Sequence, residues 1–144
     1  MLAEVCVIEV GTTVYLAGKM RGVRYMNFIE FFRWHDIMER SGYVVLNPAA
    51  HDVERFFRPW YKKLVSFLIR SLIWRSWYES VMRYDLKLIR DKADWLFVLK
   101  GWETSEGANR EIALAKELGI PVIYEDKPLT NNPYTHECED GIWE

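Results

Sequence analysis

Residues 105–111 read Ser105-Glu106-Gly107-Ala108-Asn109-Arg110-Glu111. A serine and a glycine where a loop gives way to a helix offer a hydroxyl, backbone N–H groups and room for close approach. These suit an anion. Glu111 lies one residue before Ile112, which with Ala115 marks the sheet-facing stripe of that helix. A carboxylate at this edge faces the strand ends. There it could attack an anomeric carbon and form a covalent glycosyl ester. Spacing alone leaves open an ordinary surface glutamate on an amphipathic helix. Asp85, in Arg83-Tyr84-Asp85-Leu86, is the second carboxylate, set among apolar Val81, Met82, Leu88 and Ile89. Chemistry at a glycosidic bond needs an acid or base beside the nucleophile. The alternative is an exposed ion pair with Arg83 or Lys87.

A second cluster is Gly18-Lys19-Met20-Arg21-Gly22. Arg21 supplies a fork of donors and Lys19 a point charge, both suited to phosphate. The glycine spacing is neither that of a Walker loop nor that of a dinucleotide fingerprint. His136, Glu137 and Cys138 lack a paired ligand motif elsewhere, so no metal and no cofactor are expected. His35 lies on an apolar helical face and reads as a core or edge residue. His51 follows a strand and is placed where it could approach the site.

These residues need elements to hold them. Thr13 to Ala17 is β-branched and apolar, a buried strand that ends in the Gly18 loop. Val5 to Ile8 reads as a further strand, turned at Gly11. Asn27 is the expected N-cap of a helix carrying Phe28, Phe31, Phe32, His35 and Met38, with Gly42 past its end. Strands are expected at Tyr43 to Leu46, Asp94 to Leu99 and Pro121 to Tyr124. Residues 51–92 read as mostly helical, broken near Pro59, and Ala108 to Leu118 as a last helix. This alternation predicts one α/β domain over 1–144, doubly wound, with a mostly parallel sheet of four or five strands and a helical insertion at about 51–80. The core spans 13–124, and 125–144 is an irregular acidic tail. In such sheets ligands bind at the carboxyl ends of the strands, so the loops after Ala17, Leu46 and Leu99 should converge.

Composition agrees with a folded domain: 144 residues, half of them hydrophobic and 28% charged. The net charge of −2 hides an uneven spread, since residues 54–92 hold ten basic and four acidic side chains. A basic middle favours anionic ligands, although taken alone a solvated helix face is the more ordinary account of it. Cys6 and Cys138, near opposite ends of the chain, read as free thiols of a reducing cytoplasm. No basic start leads into an apolar run, so no signal peptide is expected. Leu64 to Trp74 is too short to span a bilayer.

The ordered set of motifs carries a resemblance. Tyr15-Leu16-Ala17-Gly18, Arg21-Gly22, Asn47-Pro48, Tyr84-Asp85-Leu86, Gly101-Trp102, Ser105-x-Gly107-x-x-x-Glu111 and Gly119-Ile120-Pro121-Val122 resemble the nucleoside 2-deoxyribosyltransferase-like superfamily over about residues 13–124. The resemblance is closest to a poorly characterised branch common in phages and bacteria. It implies Glu111 as the nucleophile at C1′, Asp85 as the assisting group and Tyr15 as the residue that orients them. Related deoxynucleoside 5′-monophosphate N-glycosidases have the same serine-x-glycine spacing. By that likeness Ser105, Gly107 and Arg21 are candidates for the phosphate site, to which the reading of the glycine-flanked loop adds Gly18 and Lys19. The basic, aromatic stretch Phe56 to Tyr78 has no clear counterpart in the small transferases.

The expected function is thus cytoplasmic cleavage of the base–sugar bond of a (deoxy)nucleoside 5′-monophosphate. Base exchange between nucleosides and a non-catalytic nucleotide-binding module are the alternatives. The aromatic stretch at 56–78, with Trp60, Trp74 and Trp77, is expected to form a homo-oligomer interface. A nucleic-acid surface is the less favoured use of it.

Overall fold

The computed structural model describes residues 9–57 and 67–126, with side chains for 9–52 and 75–126. The expected strand Val5 to Ile8, the break near Pro59 and the His136–Cys138 group lie outside these residues. The elements run β1 (Thr13–Ala17), α1 (Phe28–Arg40), β2 (Val44–Leu46), α2 (Pro48–Phe57), α3 (Phe67–Lys92), β3 (Trp95–Val98), α4 (Glu106–Glu117) and β4 (Val122–Tyr124). Of the expected insertion at 51–80, the described residues 51–57 and 67–80 are helical, and α3 runs on beyond it to pack against α4.

Among the described residues the sheet has four strands in the order β2-β1-β3-β4, all parallel. Tyr15 on β1 stands opposite Leu46 on β2 and Leu96 on β3. Successive side chains alternate between the faces of a strand, which gives this sheet two cores. Val14, Leu16, Trp95 and Phe97 meet Phe31 and Met38 of α1 on one face. Tyr15, Ala17, Leu96 and Val98 meet Ile89 of α3 and Ile112 and Ala115 of α4 on the other. Both faces are covered, as a doubly wound parallel sheet requires. The loop after β1 leads to α1 on one face, and the loop after β3 leads to α4 on the other. That divergence opens a crevice at the strand ends, the usual ligand position in such sheets.

Two local features differ from the sequence reading. Asn27 holds the N-cap position of α1 as expected, but it is left-handed (φ 58°) and makes no side-chain cap hydrogen bond; its side chain instead donates to the Lys19 carbonyl oxygen at 3.0 Å. Tyr25 and Met26 are left-handed as well, with φ near 53° and 52°. A left-handed backbone costs an ordinary residue about 1–2 kcal/mol. The second difference is at α4, which begins at Glu106, two residues earlier than its apolar stripe suggests. Ser105 is its N-cap, with Oγ accepting from the Ala108 N–H at 3.3 Å.

Gly18 is where β1 leaves the sheet. A Cβ there would lie 3.0 Å from Leu99 Cβ and 3.2 Å from Phe31 Cζ. Gly18→Ala is therefore expected to lower unfolding stability by about 1–3 kcal/mol, read by denaturant titration. An unchanged midpoint would show that Leu99 and Phe31 yield without cost.

Candidate functional site

The crevice holds a cavity of about 230 Å³. Its walls come from four places in the chain. The β1 loop supplies Gly18, Lys19, Met20 and Arg21, with Met26 just beyond it. The start of α2 supplies Pro48 and Asp52. The middle of α3 supplies Trp77, Tyr78, Val81, Met82 and Asp85, and the start of α4 supplies Thr104 to Ala108 and Glu111. The loops after Ala17, Leu46 and Leu99 thus converge as expected. Every residue of the expected catalytic and phosphate-binding set lines this cavity except Tyr15, which is fully buried and bonded to Glu111 beneath it.

Glu111 is not a surface residue. It is 5% exposed, on the stripe of α4 that carries Ala108, Ile112 and Ala115. The Tyr15 hydroxyl donates to Glu111 Oε1 at 2.8 Å, joining β1 to α4 across 96 residues of sequence. Asp85 is buried as well, so it does not occupy the exposed face that its charged neighbours suggested. Burial raises the Glu111 pKa well above its ordinary value. The charge of Asp85 adds to the rise, the Tyr15 hydrogen bond opposes it, and Asp52 adds a smaller increment. Tyr15 is raised as well, first by burial and then by the two carboxylates Glu111 and Asp85. A carboxyl held in this way is reluctant to ionise and reactive once it does.

The rim is polar and mutually braced. Lys19 Nζ donates to Thr104 Oγ1 at 2.8 Å, tying the β1 loop to the β3 loop. Asn109 Nδ2 donates to the carbonyls of Trp102, Glu103 and Ser105, which holds the turn before α4 in place. Arg110 meets Glu79 through two contacts of 3.1 and 3.3 Å and fastens α4 to α3. Above this, the Arg21 guanidinium lies over the Tyr78 ring, 4.0 Å from its centroid. Glu106, in the first turn of α4, is exposed at the same rim.

Asp52 and Tyr78 line the site although the sequence reading gave them no role in it, and Trp77, named there for an oligomer interface, lines it as well. Asp52 had a usable signal, because it follows Asn47-Pro48 by one helical turn and that pair marks a strand end. Asn47 Oδ1 accepts from the Ala49 N–H at 2.9 Å and so starts α2 at the sheet edge. Tyr78 carried no such signal, since α3 is apolar and aromatic on several sides. His51 does not reach the cavity: it is exposed and sits edge-on to Tyr84. His35 is half-buried beside Glu39, as an edge residue. The aromatic side chains Trp60 and Trp74, expected at an oligomer interface, lie outside the described side chains.

Among the described residues no group of His, Cys, Asp and Glu is arranged to hold a metal ion, and no helix is long and apolar enough to cross a membrane. Fold and crevice together define a doubly wound α/β domain with a carboxylate-floored pocket at the strand ends. Residues 12–124 match the sequence profile of DUF4406, a domain of unknown function, and the chain belongs to that family. No curated protein and no solved structure gives a significant match.

The raised Glu111 pKa has a consequence for stability. The folded protein holds this proton more tightly than the unfolded chain does. The stabilisation is complete below the unfolded carboxyl value and is lost as pH rises through the folded one. Each unit of elevation corresponds to about 1.4 kcal/mol. Glu111→Gln keeps an acceptor for Tyr15 and removes the titration. It should melt at a higher temperature than wild type at pH 8, with the gap closing towards pH 4. A gap that stayed constant with pH would contradict the elevated value.

Proposed function

We propose that the protein is an N-glycosidase acting on a nucleoside 5′-monophosphate. The observation that carries this reading is the Tyr15 hydroxyl bonded at 2.8 Å to a buried glutamate carboxylate, under a pocket shared with a second buried carboxylate, Asp85. Paired carboxylates in unlike surroundings are the usual equipment for glycosidic chemistry. Glu111 would attack C1′, forming a glycosyl ester as the C1′–N bond breaks. The base leaves with that electron pair and takes a proton from Asp85. Water then attacks C1′, delivers a proton to Asp85 and releases sugar phosphate, which frees Glu111. Tyr15 holds the attacking carboxylate in place and favours its ionised form.

A phosphorylated substrate is supported by Lys19, Arg21 and the Ser105-capped start of α4 at the rim. The floor carries the opposite charge, with Asp52, Asp85 and Glu111 below. The phosphate would therefore sit outermost and the sugar over the carboxylates.

The decisive experiment measures free-base release from a panel of ribo- and deoxyribonucleoside 5′-monophosphates and the matching nucleosides. Release is expected from a monophosphate, and Glu111→Ala should abolish it while the protein stays folded. Full activity in that variant would overturn the assignment. Turnover only when an acceptor base is added would point to base exchange. Because Glu111 must ionise, the rate should fall as pH drops through its raised pKa. Tyr15→Phe removes a bond that favours the ion, so its acid limb should move to higher pH; a shift to lower pH would refute this role for Tyr15. Arg21→Ala should raise KM for the monophosphate by about tenfold and leave the nucleoside unaffected. Glu106→Gln, which removes an anion from the rim, should lower KM for the monophosphate; an unchanged value would place the phosphate elsewhere.

A further inference from the structure

Tyr78 contributes to the cavity, but the chemistry above does not use it. It stands on α3 next to Glu79, whose carboxylate is gripped by Arg110 of α4. Its hydroxyl comes within 3.4 Å of where a Cβ on Gly107 would lie, so the ring edge reaches the first turn of α4. Its ring carries the Arg21 guanidinium at 4.0 Å. One aromatic side chain therefore joins the two parts of the rim that offer donors to an anion: the β1 loop and the start of α4. Arg21 is exposed and belongs to a loop that leaves β1 at Gly18. Without a surface to rest on, a long side chain of this kind samples many rotamers, and ordering it on binding is costly. A cation on an aromatic face keeps its N–H groups at the ring's periphery, available to an acceptor.

We infer that Tyr78 is a positioning residue for the anionic end of the ligand: its ring pre-sets Arg21 beside the Ser105–Gly107 turn, so that both engage one phosphate. The inference rests on the phosphorylated-substrate reading above and adds a residue from a third element to it. Tyr78 acts through Arg21 and through the ring, not through its hydroxyl. That distinction makes the idea testable. Glu106 works against it from the same turn, since its carboxylate also faces this rim. A rigid Arg21 is what holds the phosphate on the far side of that charge.

The test is calorimetric binding of ribose 5-phosphate, with ribose as the uncharged control, to wild type, Tyr78→Phe, Tyr78→Leu, Arg21→Ala and the Tyr78→Leu/Arg21→Ala double variant. Thermal melts of each confirm folding. Tyr78→Phe keeps the ring and should bind ribose 5-phosphate within twofold of wild type. Tyr78→Leu should weaken it by about tenfold. Any ribose binding should be unchanged in both. The double variant should be no weaker than Arg21→Ala alone, because the ring acts only through that arginine. Equal losses for sugar and sugar phosphate in Tyr78→Leu, or additive losses in the double variant, would overturn the proposal. A loss in Tyr78→Phe would show that the hydroxyl, not the ring, is the contact. Wild type that binds no ribose 5-phosphate would remove it altogether. These outcomes are separate from base release: binding that depends on Tyr78, without any release of base, would sink the glycosidase reading and leave the positioning role standing.

Discussion

The hydrogen bond from Tyr15 to Glu111 is the constraint around which the other half of the domain is arranged. A carboxylate at 5% exposure is costly to bury, and one phenolic donor is a modest return. The arrangement persists because each partner sits on an element that is fixed for other reasons. Tyr15 lies on the central strand between β2 and β3, with every backbone neighbour paired. Glu111 lies on the face of α4 whose Ile112 and Ala115 fill the core beneath it. The apolar packing of α4 on the sheet thus carries the cost of placing an acid where water does not reach.

The same logic explains the distribution of charge in the pocket. The floor gathers carboxylates from three helices: Asp52 from α2, Asp85 from α3 and Glu111 from α4. Burial first, and then the neighbouring like charges, resist ionisation, and Glu111 carries the result as a raised pKa. The cations stand at the rim, where solvent meets them and where they are braced by Thr104 and Tyr78. An anionic ligand is consistent with this vertical separation only if it lies with its charge outward. In the proposed reading that orientation also puts the sugar over the acids.

The fold positions this site through one topological feature, the divergence of the chain at the ends of β1 and β3. One loop turns to α1 and the other to α4, and the space between them is open because neither helix covers it. Gly18 lets β1 leave the sheet close against Leu99 and Phe31. The left-handed turn at Tyr25 to Asn27 then brings the chain back towards α1, with Asn27 fixed to the Lys19 carbonyl. An ordinary capped helix start was the simpler expectation. The tertiary contact prevailed because the Asn27 amide found a backbone partner in the very loop it follows.

Much of this was legible from local patterns alone. Apolar runs of strand length, broken by glycine and proline, mark β1 to β4, and helical spacing marks α1 and α4, because both signals follow from backbone periodicity. Ser105, Gly107 and Glu111 could be placed near the strand ends for the same reason: a loop-to-helix transition after a strand has only one position in a parallel sheet. Spacing could not decide whether Glu111 and Asp85 faced water or the core. Burial is a property of what lies opposite, and the hydroxyl opposite Glu111 comes from 96 residues away. Asp52 could be suspected only from its place one turn after Asn47-Pro48, and no local pattern reveals Tyr78. Their place in the pocket is decided by how α2 and α3 lie across the sheet, which is set by the summed packing of side chains distant in sequence and not by any short segment of it.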